Sequence, residues 1–187
     1  MSGRGGVETY KRILIGGGAR AGKSAFALSL ARQLGTRRLL LATAQPLDEE
    51  MQERIARHRA ERGQDFETVE EPLDVAGVVA GRTGVDVIVL DCVTLWLSNL
   101  LLAGRREPEI LARVDALSDA LAGAPFHAVL VTNEVGMGLV PDTPLGRTFR
   151  DLTGRVHQRL ARVADELYLG VLGTMVRLRP EPGLVAL

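Results

Sequence analysis

The residues Arg12–Ser24 read RILIGGGARAGKS. Gly17, four residues, then Gly22-Lys23-Ser24 have the spacing of a phosphate-binding P-loop. A glycine-rich loop lets successive backbone N–H groups point into one concavity, where phosphate oxygens sit. Within Gly17, Gly18, Ala19, Arg20, Ala21, Gly22, Lys23 and Ser24, the lysine brings a mobile positive charge toward the β- and γ-phosphates. The Ser24 hydroxyl can complete the shell of a magnesium ion. A helix starting near Ser24 would aim its positive end at the same phosphates.

A second element fits the first. Val87–Asp91, VIVLD, is an apolar run ending in a carboxylate. Beside a P-loop, Asp91 is a candidate to hold the magnesium, directly or through water. These residues describe a magnesium-dependent nucleotide hydrolase or phosphotransferase and leave the acceptor unnamed. His58 lies between Arg54 and Arg62, four residues from each, so a helix would present all three on one face. On residue chemistry alone, a solvated histidine on a charged helix is the simpler reading.

The elements that must position these groups alternate regularly. Ile13–Ile15 reads as a buried strand, and the run after Ser24 as a helix stopped by Gly35. Further strands are expected over Arg38–Thr43, Phe66–Glu70, Val85–Leu90, Ala128–Val131 and Glu166–Leu172. Thr174–Arg179 is expected as a final edge strand. Helices are expected over Asp48–Glu61, Pro72–Ala80, Leu95–Leu102, Glu109–Ala122 and Gly146–Val163. The tail Pro180–Leu187 carries no clear pattern. This alternation implies an α/β, P-loop NTPase-like three-layer fold in one domain, its sheet mostly parallel with helices on both faces. Ligands of such sheets bind beyond the carboxyl ends of the strands. That rule gathers Gly17–Ser24, Thr43, Asp91 and Asn133-Glu134 on one rim.

Composition narrows the class. The 187 residues are 46% hydrophobic and 25% charged, as in a globular protein with a core. Lysine plus arginine and aspartate plus glutamate number 23 each, and no basic face stands out, so nucleic acid is not an expected partner. The single cysteine, Cys92, excludes an internal disulfide and points to a reducing, cytoplasmic setting. Met1–Lys11 has no apolar core of a secretory signal. No run reaches the length of a membrane span.

Three more segments carry a resemblance. ATAQPLDEEM spans Ala42–Met51, RIARHRAER spans Arg54–Arg62, and TNEVGMGLVPDTPLGRTFR spans Thr132–Arg150. Together with GGARAGKS they resemble the bifunctional adenosylcobinamide kinase / adenosylcobinamide-phosphate guanylyltransferase family of cobalamin biosynthesis. The resemblance runs from Ile13 to about Gly173. It implies phosphorylation of adenosylcobinamide by ATP or GTP, then transfer of GMP from GTP to the new phosphate through a guanylyl-histidine. The family pattern places that histidine at His58. By the same resemblance the catalytic residues are His58 and Lys23. The nucleotide site adds Ala42, Thr43, Ala44, Arg59, Ala60, Glu61, Arg62, Glu70 and Asp91 to the P-loop, with Ser24 and Asp91 toward Mg2+. Glu70 could read guanine, because a carboxylate can accept both N1–H and N2–H. The loop Asn133–Pro144 is a candidate for contacts to the corrinoid or to a neighbouring subunit. The resemblance also implies a homotrimer. His157 departs from the family, which usually has Asn there, and is not the expected nucleophile.

Overall fold

The computed structural model describes residues 9–46, 49, 52–53 and 65–185. Among them the chain order is β1 (Arg12–Gly17), α1 (Lys23–Leu34), β2 (Arg38–Ala42), β3 (Glu67–Glu70), α2 (Val75–Gly81), β4 (Val87–Asp91) and α3 (Val93–Leu102). Then come α4 (Glu107–Gly123), β5 (His127–Val131), α5 (Pro144–Val163), β6 (Glu166–Val171), β7 (Thr174–Arg179) and β8 (Gly183–Val185). The expected helix Asp48–Glu61 falls largely outside the described residues.

The strands form one sheet in the order β3-β2-β4-β5-β1-β6-β7-β8. Pairing is parallel from β3 through β6. It is antiparallel from β6 to β7 and from β7 to β8. The central strands are apolar on both sides, and alternate residues feed two separate cores. Leu14, Leu39, Leu41, Ile88, Leu90, Ala128 and Leu130 pack on one face with Val75 and Val79 of α2, Trp96 of α3, Val114 of α4 and Val156 of α5. Ile13, Ile15, Leu40, Val87, Val89, Val129 and Val131 pack on the other with Phe26, Ala27 and Ala31 of α1. Helices therefore cover both faces, as the alternating pattern requires.

Element ends have local causes. α5 begins two residues before the expected Gly146 because Pro144 presets helical φ at the first turn and Thr143 caps it, its hydroxyl accepting Gly146 N–H at 3.1 Å. α4 likewise begins at Glu107, with Pro108 in its first turn and the Glu109 carboxylate accepting Arg106 N–H at 2.7 Å. The expectation that β7 is an edge strand is corrected. β8 pairs outside it, with Met175, Val176 and Arg177 opposite Val185, Leu184 and Gly183. Three residues between prolines and the chain end are too few to show a strand period.

Two buried aromatic side chains of the core are also hydrogen-bonded. Trp96 Nε1–H donates to Leu73 O at 2.9 Å, and Tyr168 O–H to Glu166 Oε2 at 2.6 Å. Burial, then the Glu166 carboxylate, pushes the Tyr168 hydroxyl up to about 12.

Candidate active site

Parallel pairing brings the carboxyl ends of β1, β2, β3, β4, β5 and β6 to one rim. At its centre β1 runs into the P-loop and the P-loop into α1. Arg20 and Gly22 hold positive φ, 58° and 81°. These turns are what fold consecutive backbone N–H groups inward. Gly18, Ala19 and Arg20 are exposed, Ala21 and Ser24 half-buried. Lys23 is buried, and its ammonium donates to Gly18 O at 2.6 Å. The lysine thus bridges the mouth of its own loop, in the space where phosphate oxygens would compete for it.

Two glycines make the floor. Gly17 has φ 142°, and a β-carbon there would come within 2.5 Å of Gly170 O. Gly170 is its parallel partner on β6. A β-carbon on Gly170 would in turn meet Met175 Cε at 3.0 Å and Ala21 Cβ at 3.3 Å. Sequence reasoning missed Gly170, although a glycine inside an otherwise apolar strand marks a close backbone approach.

β4 is not the neighbour of β1, because β5 lies between them. At about 4.8 Å per strand, Asp91 and the end of β1 are roughly 10 Å apart across the sheet. That gap suits a hydrated cation and phosphate oxygens better than direct contact. Among the described residues, neither the Asp91 carboxylate nor the Ser24 hydroxyl takes a hydrogen bond from another side chain. Nor do these residues hold any cluster of three or more His, Cys, Asp or Glu able to cage a metal alone. One hydroxyl and one carboxylate are hard oxygen donors of the kind that share Mg2+ with phosphates and water, so the residues present fit that ion.

The Ala42–Ala44 segment links β2 to β4. Thr43 is fully buried, and its hydroxyl donates to Cys92 O at 2.8 Å and accepts Cys92 N–H at 2.9 Å. Its own N–H donates to Asp91 O, and its carbonyl accepts Asn99 Nδ2. Thr43 therefore fixes the strand ends, while half-buried Ala44 faces outward past them. Glu70 ends β3 opposite Ala42 and is exposed, four strands from β1 along the rim. A nucleotide that met both ends would lie along the strand tips. His58, Arg59, Ala60, Glu61 and Arg62 lie outside the described residues. Cys92 is buried and outside any disulfide.

The inserted strand β5 adds groups that spacing did not connect. Thr132 follows it, and its hydroxyl lies 2.8 Å from His157 Nε2 on α5. His157 Nδ1 faces Glu134 Oε2 at 3.5 Å. Burial lowers the His157 pKa, against the pull of the Glu134 carboxylate. Glu134 N–H donates to Gly17 O at 3.0 Å, so this loop is tied to the P-loop itself. Beyond it the loop carries Met137, Leu139 and Val140, all exposed. No helix among the described residues is long and apolar enough to cross a membrane.

Comparison with known proteins agrees with this geometry. The fold is similar to that of the RadB recombinase (TM-score 0.54, 13% identity, covering 94% of this chain and 85% of that one). It is equally similar to a prototypical ATPase of a bacterial type III secretion system (TM-score 0.55, 15% identity, 85% and 50%). At those identities the likeness concerns the fold alone. Sequence similarity reaches further. The chain is 40% identical over 180 residues to the bifunctional adenosylcobalamin biosynthesis protein CobU of Escherichia coli K12, covering 89% of this chain and 99% of that protein. It is 41% identical over 177 residues to its counterpart CobP of Pseudomonas aeruginosa, covering 91% and 99%. The family model described as cobinamide kinase / cobinamide phosphate guanyltransferase matches residues 13–178. With a P-loop at the head of that match and its rim complete across β1 to β6, the chain belongs to the cobinamide kinase / cobinamide phosphate guanyltransferase family.

Proposed function

We propose that the protein phosphorylates adenosylcobinamide and then guanylylates the product. In the first step the substrate's aminopropanol hydroxyl takes the γ-phosphoryl group of ATP or GTP. In the second, GMP passes from GTP to the new phosphate, giving adenosylcobinamide-GDP and pyrophosphate. The observation that carries this reading is the family match over residues 13–178, a span that includes both the P-loop and His58.

The P-loop amides of Gly17–Ser24 cradle the triphosphate, and Lys23 exchanges its bond to Gly18 O for phosphate oxygens. Ser24 and Asp91 would hold Mg2+, whose chemistry is to neutralise phosphate charge. His58 is the nucleophile of the second step. A ring nitrogen bonds to the α-phosphorus of GTP, and pyrophosphate leaves with the electrons of the broken P–O bond. An oxygen of the substrate phosphate then attacks the same phosphorus, and the P–N bond breaks to restore the imidazole. Splitting one transfer into two is the advantage of such a nucleophile. Arg54 and Arg62, on the face of His58, offer guanidinium forks to phosphate oxygens, and Arg59 belongs to the nucleotide site. Ala44, Ala60 and Glu61 complete the nucleotide wall, with buried Ala42 and Thr43 fixing the strand ends behind it, and Glu70 reads guanine. The assembly in this reading is a homotrimer.

Incubation with GTP labelled at the α-phosphate, followed by denaturation, tests the covalent step. Label on the protein, acid-labile and alkali-stable and lost in His58→Ala, is the expected result. Unlabelled wild-type protein, or label retained by His58→Ala, overturns it.

A further inference from the structure

Phosphorylation of an alcohol requires a group to take the hydroxyl proton, and neither His58 nor Lys23 has that task in the scheme above. The strand order singles out a carboxylate for it. β5 is the immediate neighbour of β1 on the rim, so Thr132, Asn133 and Glu134 emerge directly beside the P-loop. Asn133 is committed elsewhere, its Nδ2 donating to Thr94 Oγ1 at 3.0 Å. Glu134 is anchored to the P-loop through its own N–H on Gly17 O. Its Oε1 accepts Gly136 N–H at 2.6 Å, and its Oε2 faces His157 Nδ1. The imidazole is oriented from behind by Thr132, whose hydroxyl donates to Nε2 when Nδ1 carries the proton. Three fixed points therefore hold one half-buried carboxylate on the segment whose backbone is bonded to the start of the phosphate cradle. Asp91, the other carboxylate of this rim segment, is a strand further away and is placed toward the cation.

The same loop suits a bulky acceptor. Just past Glu134 in the same loop, Met137 and Leu139 are 78% and 95% exposed, apolar surface that a bulky acceptor could cover.

We propose that Glu134 is the general base of the phosphoryl transfer and that His157 is its positioning residue. This rests on the kinase reading above. The acceptor oxygen forms a bond to the γ-phosphorus while the bond from that phosphorus to the β,γ-bridging oxygen breaks. The nucleoside diphosphate leaves with that electron pair, and the hydroxyl proton passes to the Glu134 carboxylate. His157, donating through Nδ1–H, keeps the carboxylate turned toward the acceptor.

Kinase turnover with adenosylcobinamide and ATP, measured as phosphorylated corrinoid, is the test. Protein guanylylation by α-labelled GTP is measured in parallel. Glu134→Gln is expected to lower the kinase kcat by about 100-fold or more, the scale of a lost general base, with KM for ATP within about threefold. The loss in guanylylation should be far smaller, which also reports folding. Added formate should restore part of the kinase rate to Glu134→Ala, an effect no purely structural role produces. His157→Leu should lower kcat by about tenfold, and His157→Asn, which can still bridge Thr132 and Glu134, should recover most of that loss. Kinase turnover by Glu134→Gln at the wild-type rate, or equal losses in both activities with no formate rescue, overturns the assignment. A wild-type protein that phosphorylates no corrinoid would instead sink the kinase reading on which it stands.

Discussion

At the N-terminal ends of the strands, charge is matched within the chain. Arg37 is held by Asp86, Arg32 and Arg38 by Asp65, and Lys11 by Glu166. The buried Arg12 guanidinium gives hydrogen bonds to Leu121 O, Ala124 O and Phe126 O, and so also caps the end of α4. At the opposite ends, the hydroxyl of Ser24 and the carboxylate of Asp91 stand without a side-chain partner among the described residues. Lys23 there leans on a backbone carbonyl of the loop it serves. Both ends carry arginines or lysines, so the presence of charge does not distinguish them. A groove lined by Arg37, Arg38, Asp65 and Glu67 lies at the N-terminal end, yet each of these charges already has a partner: Arg38 has Asp65, Arg37 has Asp86 and Glu67 has Arg82. Arg37 and two backbone N–H groups hold the Asp86 carboxyl well below the usual range. What separates a working end from a structural one is which polar groups the fold leaves for a ligand.

Substitution at each end should break the molecule in different ways. Lys23→Ala removes the cation of the cradle. Nucleotide-dependent turnover should fall by about 10²–10³-fold, the scale of one lost electrostatic contact to a transition state, with thermal midpoint nearly unchanged. Turnover assays beside a melting curve check this, and a collapse in stability would blur the contrast. Arg12→Leu should do the reverse. It removes the guanidinium from three carbonyls, of which Leu121 O alone keeps a backbone donor among the described residues, in Ala124 N–H, and should cost about 2–4 kcal/mol in denaturant unfolding, with activity per folded molecule retained. The smallest effect lies in pH. Because burial holds the His157 pKa below its unfolded value of 6.5, the unfolded chain binds the extra proton first as pH falls. The histidine's contribution to stability is therefore complete above pH 6.5 and declines below it. Unfolding midpoints at pH 7.5 and 5.5 should drop more in wild type than in His157→Asn. An equal drop would mean that the imidazole does not feel its buried setting.

Much of this contrast was legible in residue order, and some of it was not. The P-loop, the apolar runs of β1, β4 and β5, and the carboxylate closing β4 each announce themselves locally, because glycine freedom and two-sided burial leave short-range patterns. Spatial order does not. Nothing in the chain says that β5 inserts between β1 and β4, yet that insertion brings Thr132 and Glu134 to the phosphate loop and sets Asp91 back from it. The Thr132–His157–Glu134 cluster joins residues 25 positions apart on a strand end and a helix. His157 was read as a departure from the family, with no partner to give it meaning. Arg12 was hidden for the same reason, since its three acceptors lie more than a hundred residues downstream. The short strand β8 escaped because pairing, not propensity, makes it a strand.

The bare backbone contact between Gly17 and Gly170 has a mechanical consequence. The phosphate loop rests on β6, and the fully buried Met175 of β7 fills the space beside Gly170, next to Ala21 and Gly22 of the loop. The terminal hairpin is thus a brace for a loop more than 150 positions earlier in the chain. Damage to that brace would loosen the grip on nucleotide while every residue of the grip stayed intact.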